Sequence, residues 1–218
     1  MKIVQIPNGT FAENCYLAID EQAAQPECVI VDPGEEAGLI LHKVRESGAK
    51  PVGIWLTHAH IDHVVGVPTV ARETGAPVWL HPADRPLYDA VPDQAAWFGL
   101  TLPGRLPAPD HEMVPGAELT VGTLRFTVRH APGHSPGSVC LVGPGVVFSG
   151  DVLFAGSIGR TDLPGGDFET LIASIERELL PLSDGTIVYS GHGPETTIGR
   201  ERRGNPFLTG AVRPVQTR

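Results

Sequence analysis

The stretch Thr57-His58-Ala59-His60-Ile61-Asp62-His63 decides the fold, with three histidines and one aspartate packed into six consecutive positions. It follows an apolar run, 51–56, that predicts a buried strand. It precedes a run, 62–73, that predicts a helix ended by Gly75. The cluster is therefore expected on a strand-to-helix loop, where a rigid scaffold usually presents its functional side chains.

The spacing of the cluster predicts two nearby points of convergence. In an extended chain alternate side chains face the same way, so His58, His60 and Asp62 can meet at one point. His63 arrives as the helix begins and can face a second point. Imidazole and carboxylate without thiolate suit zinc, iron or manganese. The alternative, a polar loop of solvated histidines, is disfavoured by the density of the cluster.

Three later glycine-flanked loops each follow an apolar run and each carry one more ligand type, namely His134, Asp151 and His192. Each of these loops alone is weak support, because a polar residue at a strand end is often only a turn or cap residue. With the first cluster they make seven candidate ligands: His58, His60, Asp62, His63, His134, Asp151 and His192. One metal takes three or four protein ligands, so seven suffice for two metals that share a carboxylate.

Composition bounds the class of protein. The 218 residues predict one domain, and 41% hydrophobic residues are enough for a sizeable core. The net charge of -9 disfavours nucleic acid as a partner, and no 18-residue apolar run predicts a membrane span. The first residues are too short an apolar run, too soon broken by Pro7, to predict a secretory signal. The oligomeric state is not predicted by any of these features.

The three cysteines, Cys15, Cys28 and Cys140, lie inside apolar runs and have no CxxC spacing. This pattern predicts buried free thiols in a reducing compartment, and we expect a cytoplasmic protein.

The remaining pattern predicts a mixed α+β protein with layered sheets. A clean helical stripe covers 167–180, and strands recur between turn signals along the chain. Residues 82–115 hold seven of the 21 prolines and include Trp97 and Phe98. We expect a stiffened excursion there, and two roles stay open: packing on the outside of the fold, or an apolar wall of the functional cleft.

The sequence resembles the metallo-β-lactamase-fold hydrolases through its His-x-His-x-Asp-His signature at 58–63 and the later His134, Asp151 and His192. Within that superfamily it looks like the short bacterial glyoxalase II type, hydroxyacylglutathione hydrolase. The stretches that carry this likeness are Pro132-Gly-His-Ser-Pro-Gly-Ser138, Gly150-Asp-Val-Leu-Phe154, Gly156-Ser-Ile-Gly-Arg-Thr-Asp-Leu-Pro-Gly-Gly166, Gly191-His-Gly-Pro-Glu-Thr-Thr197 and Asn205-Pro-Phe-Leu208.

The resemblance implies a four-layer αββα sandwich with the site at one edge, formed as a single domain over 1–218. It implies two divalent metal ions, zinc above all, with iron or manganese as alternatives. The first metal would be held by His58, His60 and His134. The second would be held by Asp62, His63 and His192. Asp151 would bridge both, and its being Asp rather than Cys argues against the common antibiotic-hydrolysing enzymes.

The expected reaction is hydrolysis of a small-molecule thioester such as S-lactoylglutathione to a hydroxy acid and glutathione. Two ions about 3.5–4 Å apart can clamp a hydroxide and polarise the carbonyl. Asp62 and Asp151 are the expected catalytic carboxylates, with Asp62 orienting the hydroxide. Asp32, at a strand end, either supports the site or forms a plain turn.

The expected substrate contacts are arginines. Arg160 lies on the glycine-rich loop 155–166, where glyoxalase II places a basic residue against the glutathione carboxylate; the alternative is an ordinary surface arginine. Arg202 and Arg203 form a second basic patch. The long glyoxalase II enzymes add a helical domain after the last ligand, and the 26 residues after His192 are not expected to form one.

Two other activities stay open. Persulfide dioxygenases share the fold and signature but use one iron held by two histidines and a carboxylate. A lactone hydrolase with the same ligand set is the other alternative. The number of metals and the uptake of oxygen would separate the dioxygenase from the hydrolases.

Overall fold

Two six-stranded β-sheets form the centre of the molecule in the computed structural model, which describes residues 1–212. The first sheet has its strands in chain order: β1 (Lys2–Asn8), β2 (Glu13–Asp20), β3 (Glu27–Val31), β4 (Lys50–Trp55), β5 (Val78–Leu80) and β6 (His111–Glu112). The predicted domain 1–218 includes residues 213–218, which lie outside the described part.

The second sheet also follows the order of the chain, except that the two strands of a small hairpin lie outside it. From edge to edge its strands are β14 (Thr196–Thr197), β13 (Ile187–Ser190), β10 (Val146–Gly150), β9 (Val139–Gly143), β8 (Leu124–His130) and β7 (Glu118–Val121). A small hairpin, β11 (Leu153–Phe154) and β12 (Ser157–Ile158), stands apart from both sheets.

Seven α-helices accompany these sheets among the described residues. They are α1 (Ala37–Ser47), α2 (Ile61–Val64), α3 (Val67–Thr74), α4 (Arg85–Asp89), α5 (Val91–Phe98), α6 (Phe168–Ser174) and α7 (Ile198–Gly204). A 3₁₀ turn (Pro82–Asp84) precedes α4, and a π-helical segment (Ile175–Leu179) continues α6. None of the helices formed by residues 1–212 has both the length and the apolar character needed to cross a membrane.

The side-chain alternation along β2 shows the layering. Leu17 and Ile19 pack with the apolar residues of α1 and α3, whereas Tyr16 and Ala18 pack against the second sheet. A third core joins the far face of the second sheet to α6 through residues such as Leu171. The order of layers is therefore helix, sheet, sheet, helix, and the predicted αββα sandwich is confirmed.

Aromatic pairs fill the space between the sheets. The rings of Tyr16 and Phe148 lie 5.4 Å apart, as do those of Trp55 and Phe126. Full burial of a large apolar side chain contributes roughly 1.5–3 kcal/mol, so these cross-sheet pairs are a substantial part of what holds the layers together.

The sheet topology gathers the polar loops at one edge. Strand β4 pairs in parallel with β3, and β10 pairs in parallel with β13, so the carboxyl ends of each pair reach the same edge. A direct bond from the Val139 amide to the Thr57 carbonyl, 2.9 Å long, ties the two sheets together there.

The predicted helix over 62–73 is two helices, α2 and α3. The interruption lies at Gly66, whose amide donates to the Pro33 carbonyl at 3.0 Å, and only glycine fits there because a Cβ would collide with the Gly34 carbonyl oxygen. Helix α3 then begins at Val67, and Pro68, which has no amide hydrogen, is tolerated in its first turn.

The excursion 82–115 is more regular than the sequence predicts. It contains α4, α5 and β6, and Gly99 ends α5 with a left-handed φ of 67°. Strand β7 and helix α7 lie at positions where the pattern predicts no element. The predicted helix over 167–180 divides into α6 and the π-helical segment.

Candidate metal centre

Loops from both sheets carry the seven candidate ligands to one place. The loop after β4 bears the first cluster, and the loops after β8, β10 and β13 bear His134, Asp151 and His192. Three buried imidazoles, those of His58, His60 and His134, face one another there. His60 Nδ1 lies 2.7 Å from His134 Nε2, which lies 3.2 Å from His58 Nε2.

A second group of ligand atoms adjoins the first. It comprises Asp62, His63 and His192, whose donor atoms all lie within 4.8 Å of one another. His192 Nε2 is 3.2 Å from Asp62 Oδ2, and His63 Nε2 is 3.8 Å from the same oxygen. Asp62 and His192 are partly exposed, so this group faces the mouth of the site.

Asp151 lies between the two groups. Its Oδ1 is 3.3 Å from His63 Nε2, and its Oδ2 is 3.6 Å from both His134 Nε2 and His192 Nε2. One carboxylate thus reaches members of both groups, as sharing between two ions requires.

Most of the candidate histidine ligands place their second ring nitrogen, Nδ1, within hydrogen-bond distance of a protein oxygen. His134 Nδ1 is 2.8 Å from the Arg160 carbonyl, and His192 Nδ1 is 3.2 Å from the Phe11 carbonyl. His58 Nδ1 is 3.1 Å from Thr57 Oγ1. A carbonyl acceptor requires the proton on Nδ1, which leaves the lone pair of Nε2 for the centre.

Asp32 supports the site, the role the sequence left open beside a plain turn. Its Oδ1 accepts from the Thr57 amide at 2.7 Å, and its Oδ2 accepts from Thr57 Oγ1 at 2.6 Å and from His63 Nδ1 at 3.0 Å. Both oxygens are therefore occupied, although Asp32 also lies within ligand distance of His58 and His63. Its backbone takes a left-handed φ of 50° to place them.

Asp84 is a buried residue that the sequence reasoning missed. Its carboxylate accepts from the Ala59 amide (3.0 Å), the Ser135 hydroxyl (2.8 Å) and the Gly137 amide (2.5 Å). It therefore joins the loop of His58 and His60 to the loop of His134. The only local signal, a lone aspartate after Pro82, does not distinguish this role from that of a surface turn.

Strand β2 holds the His192 loop from the other sheet. Asn14 Nδ2 donates to the carbonyls of Ser190 (3.0 Å) and Gly193 (2.9 Å), and the Tyr16 hydroxyl donates to Ser190 at 2.7 Å. Neighbouring Glu13 is also buried, with Oε1 3.9 Å from His63 Nδ1 and without a hydrogen-bond partner. No spacing in the sequence indicates these contacts.

Burial and neighbouring charge set the protonation of the cluster. Burial lowers the pKa of His58, and burial with the charge of His134 lowers that of His60 to about 3. Burial acts to raise the pKa of Asp151, but the charge of His63 outweighs it and holds that pKa well below its usual range. At neutral pH His58 and His60 are neutral and Asp151 is ionised, the forms that bind metal. Burial acts to lower the pKa of His63, but the carboxylates of Asp151 and Asp62 outweigh it and raise that pKa, so a metal at His63 would displace a proton.

The residues present fit a pair of metal ions. His63 Nε2 and Asp151 Oδ1 are buried and have no hydrogen-bond partner, which is costly in the absence of a cation. Three imidazoles, those of His58, His60 and His134, bring ring nitrogens within 4.8 Å of one another, close enough to share one cation. A donor set of imidazole and carboxylate without thiolate suits borderline divalent metals.

The predicted substrate arginines lie outside this cluster of ligand atoms. Arg160 contributes its carbonyl to His134, while its guanidinium pairs with Asp162 through two bonds of 2.7 and 2.8 Å. Arg202 and Arg203 both pair with Asp184.

Comparison with known proteins agrees with this architecture. The family model of the metallo-beta-lactamase superfamily matches residues 8–192. A protein of Haemophilus influenzae named hydroxyacylglutathione hydrolase GloC is 40% identical over 216 residues, which are 95% of this chain and 98% of that protein. The predicted resemblance is thereby confirmed.

Two solved structures are similarly close. TTHA1623 in a di-iron-bound form is 43% identical with a TM-score of 0.85, covering 94% of this chain and 100% of that one. The BLEG-1 B3 metallo-beta-lactamase is 44% identical with a TM-score of 0.88, covering 96% and 100%.

The fold and the His/Asp cluster together indicate a dinuclear metal site, and the relatives support a metal-dependent hydrolase. The family model spans every loop that carries a candidate ligand, and the chain therefore belongs to the metallo-β-lactamase superfamily.

Proposed function

We propose that the chain hydrolyses S-2-hydroxyacylglutathione, with S-lactoylglutathione as the representative substrate. Water adds its oxygen to the acyl carbon, the carbon–sulfur bond breaks, and the thiol leaves with a proton as the hydroxy acid forms. The observation that carries this proposal is the position of Asp151 between two groups of ligand atoms. The relative named hydroxyacylglutathione hydrolase supports the substrate class.

Each group of ligand atoms would hold one metal ion. His58, His60 and His134 would hold the first, Asp62, His63 and His192 the second, and Asp151 would contact both. When bound, such a pair polarises a carbonyl and makes water nucleophilic at neutral pH. Zinc suits these donors, and the di-iron form of TTHA1623 keeps iron as the alternative.

Asp62 would position the attacking water. Burial acts to raise the pKa of Asp62, but the charge of His63 and the hydrogen bond from His192 lower it, so the carboxylate is ionised at neutral pH. Its partly exposed side chain can accept a hydrogen bond from water entering the mouth. A thiolate leaves readily, so the chain needs no strong general acid on the opposite side.

Arg160 is the candidate for binding a substrate carboxylate. Its carbonyl accepts from His134, so its loop borders the first group of ligand atoms. Its guanidinium would have to exchange the exposed Asp162 for the substrate. Arg202 and Arg203 are weaker candidates because Asp184 already pairs with both.

Thioester turnover with metal analysis tests the proposal. Protein purified without added metal should bind about two metal ions per chain and hydrolyse S-lactoylglutathione, and Asp62→Asn should lose turnover while keeping the fold. An inactive protein with two bound metals would overturn the substrate assignment. One iron per chain with oxygen uptake on a glutathione persulfide would favour the dioxygenase instead.

Hydrolysis of β-lactams is the second candidate function. The observation that favours it is the 44% identity to a structure described as a B3 metallo-beta-lactamase. A chromogenic cephalosporin assayed beside the thioester ranks the two activities by kcat/KM. A higher kcat/KM for the cephalosporin than for the thioester would make β-lactam hydrolysis the first candidate function.

The thiols support a reducing compartment, and we infer a cytoplasmic location. Cys15, Cys28 and Cys140 are all free and buried. Burial raises the pKa of each thiol, to about 12 for Cys28. Such thiols neither pair nor react readily at neutral pH.

A further inference from the structure

Three aromatic side chains stand exposed beside the metal centre. Phe11, Trp97 and Phe98 are 37%, 75% and 48% exposed, and we call these three residues the aromatic rim. Phe11 belongs to the turn between β1 and β2, whereas Trp97 and Phe98 end helix α5. The rings of Phe11 and Phe98 meet edge to face with their centroids 5.3 Å apart. This exposed pair of touching rings, with the exposed Trp97 next to Phe98 in the chain, favours a binding surface.

Helix α5 is fastened to the loop that bears the metal ligands. Gln94 accepts from the Ile61 amide at 3.0 Å and donates to the Ala59 carbonyl at 3.2 Å, between the positions of His58 and Asp62. Gln94 and Phe98 are four residues apart, so they lie on the same face of the helix. The anchor that fixes α5 on the loop therefore also fixes the position of Phe98.

Phe11 connects the rim to the second group of ligand atoms. Its carbonyl accepts from His192 Nδ1 at 3.2 Å, and the Phe154 ring stands edge-on to His192 at 6.1 Å. Phe11 also shares the walls of a narrow crevice with Asp62 and Leu100. A substrate carbonyl at the metal centre would thus have its nearest substituent within reach of the rim.

The charges beside the rim bear on which part of a substrate binds on it. Phe11 packs around a closed crevice with the carboxylates of Glu35 and Asp62, and no lysine or arginine of the described residues lines that crevice. Arg160 lies instead on the side of His134. A carrier that bears carboxylates is repelled from the rim and attracted to the opposite side, which leaves the rim for an uncharged apolar group.

We propose that the aromatic rim is the acyl subsite and selects thioesters whose acyl group carries an aryl or branched alkyl substituent. The proposal rests on the proposed thioesterase function and adds the acyl class to it. Bringing a phenyl group onto Phe98 and Trp97 removes apolar area from water, which a methyl group does much less. The excursion 82–115, through α5, then supplies the apolar wall of the cleft.

Two substrates that differ only in the acyl group test the selectivity. The ratio of kcat/KM for S-mandeloylglutathione over S-lactoylglutathione should favour the aryl substrate in the natural protein. Phe98→Ala and Trp97→Ala should each lower this ratio, and together on the order of tenfold. Leu39→Ala removes a large apolar side chain that is also exposed but lies on α1, and as the control it should leave the ratio unchanged.

Turnover of both substrates with the same ratio in all variants would overturn the acyl subsite and leave the thioesterase function standing. If neither thioester is turned over, the affinities of two inert thioethers test the acyl subsite instead. The inert thioether S-benzylglutathione should bind the metal-loaded protein more tightly than S-methylglutathione, and Phe98→Ala or the milder Phe98→Leu should reduce that difference. Equal affinities would overturn the proposal independently of catalysis.

An exposed apolar surface can also bind a second copy of the chain. Sedimentation of the natural protein and of Trp97→Glu distinguishes an acyl subsite from a subunit interface. If Trp97→Glu dissociates an oligomer while acyl selectivity stays the same, the rim is a subunit interface and the subsite is refuted. An unchanged mass with reduced aryl selectivity supports the subsite.

Discussion

At the scale of single residues, Asp151 has the most demanding position in the site. It lies within 3.6 Å of a histidine from each group of ligand atoms. We expect Asp151→Ala to lower the bound metal from about two ions towards none and to abolish turnover, because one carboxylate serves both ions. His192→Ala should instead leave about one ion per chain.

Metal analysis beside circular dichroism checks this prediction. Asp89→Ala, which removes an exposed carboxylate of α4 paired with Arg85, is the control and should keep both ions. Two ions per chain in a folded Asp151→Ala protein would refute the shared role.

His81, which is not one of the candidate metal ligands, makes the free energy of unfolding depend on pH. Its ring stacks on His130 at 4.2 Å, and burial together with the charge of His130 lowers its pKa from 6.5 to about 4. The unfolded state therefore binds more protons between these values, so the free energy of unfolding falls as pH falls through that window. His81→Asn can keep the acceptor for the Ala83 amide but cannot titrate.

Denaturant unfolding at pH 4.5 and pH 7 measures this contribution, with the buffers chosen to span the window of about 4 to 6.5. The free energy of unfolding should fall less on acidification in His81→Asn than in the natural protein. The histidines that do not contact His81 contribute equally to both and cancel in the difference, and His130→Asn in both backgrounds removes the contribution of its stacking partner. An equal loss of unfolding free energy on acidification in both proteins would contradict the lowered pKa of His81.

At the scale of elements, the 3₁₀ turn before α4 joins two ligand loops through Asp84. Asp84→Ala would leave two buried amides, those of Ala59 and Gly137, without an acceptor, at a cost of about 1–3 kcal/mol for each, whereas the Ser135 hydroxyl can still bond to Ser138 Oγ. Because the donors lie in the loops of His58, His60 and His134, we expect the first metal ion to be lost before the second.

Thermal unfolding and metal titration of Asp84→Ala and Asp84→Asn check this. The amide of Asp84→Asn retains one acceptor oxygen, so its loss of stability should be smaller. Normal affinity for both ions in either variant would show that Asp84 stabilises the fold without positioning the ligands.

The loop between β12 and α6 carries a charge pair rather than a lone arginine. Since Asp162 already holds the Arg160 guanidinium, the contact with a substrate carboxylate competes with it. We expect Arg160→Ala to raise KM for a glutathione thioester roughly tenfold. Asp162→Asn should lower KM by releasing the guanidinium.

Steady-state kinetics with and without substrate carboxylates measures both effects, and metal content should stay normal because neither side chain is a proposed ligand. A higher KM for Arg160→Ala and a lower KM for Asp162→Asn would support Arg160 as the residue that binds the substrate carboxylate. The same KM in both would remove Arg160 from the substrate site.

At the scale of the whole molecule, the candidate ligands come from both sheets, so bound metal would join the two halves of the sandwich. A ligand at 100 times its Kd adds about 2.7 kcal/mol to the free energy of unfolding. At ~2–4 °C per kcal/mol for a chain of this size, chelation should lower Tm by roughly 5–10 °C. Zinc or iron should restore it, and a Tm that is indifferent to chelator would contradict binding between the sheets.

Much of this arrangement could be predicted because the ligands are encoded locally. The first cluster follows an apolar strand, and the three later ligands lie on glycine-flanked loops that also follow apolar strands, so residue type and position were enough to propose all seven. The apolar pattern likewise predicted a mixed α+β protein with layered sheets, and the family resemblance added the αββα sandwich. The single domain over 1–218 and the assignment of ligands to each ion stay predictions.

Local pattern failed where a contact joins distant parts of the chain. A predicted helix divides at Gly66, where only glycine fits because a Cβ would collide with the carbonyl oxygen of Gly34, which is 32 positions away. Asp84 and Gln94 look like ordinary surface residues of a proline-rich excursion until folding places them on the metal loops.

The sequence by itself thus determined the mixed α+β class and the ligand types on strand-end loops, since strand periodicity and strand-end donors are properties of short segments, and the family resemblance implied the sandwich and the edge that holds the site. Only the tertiary structure decided that Asp151 lies between both groups, that Asp162 holds Arg160, and that α5 brings Phe98 onto Phe11. These contacts depend on the packing of loops from separate strands, where burial and the need to satisfy each polar atom select one arrangement that no short stretch of residues specifies.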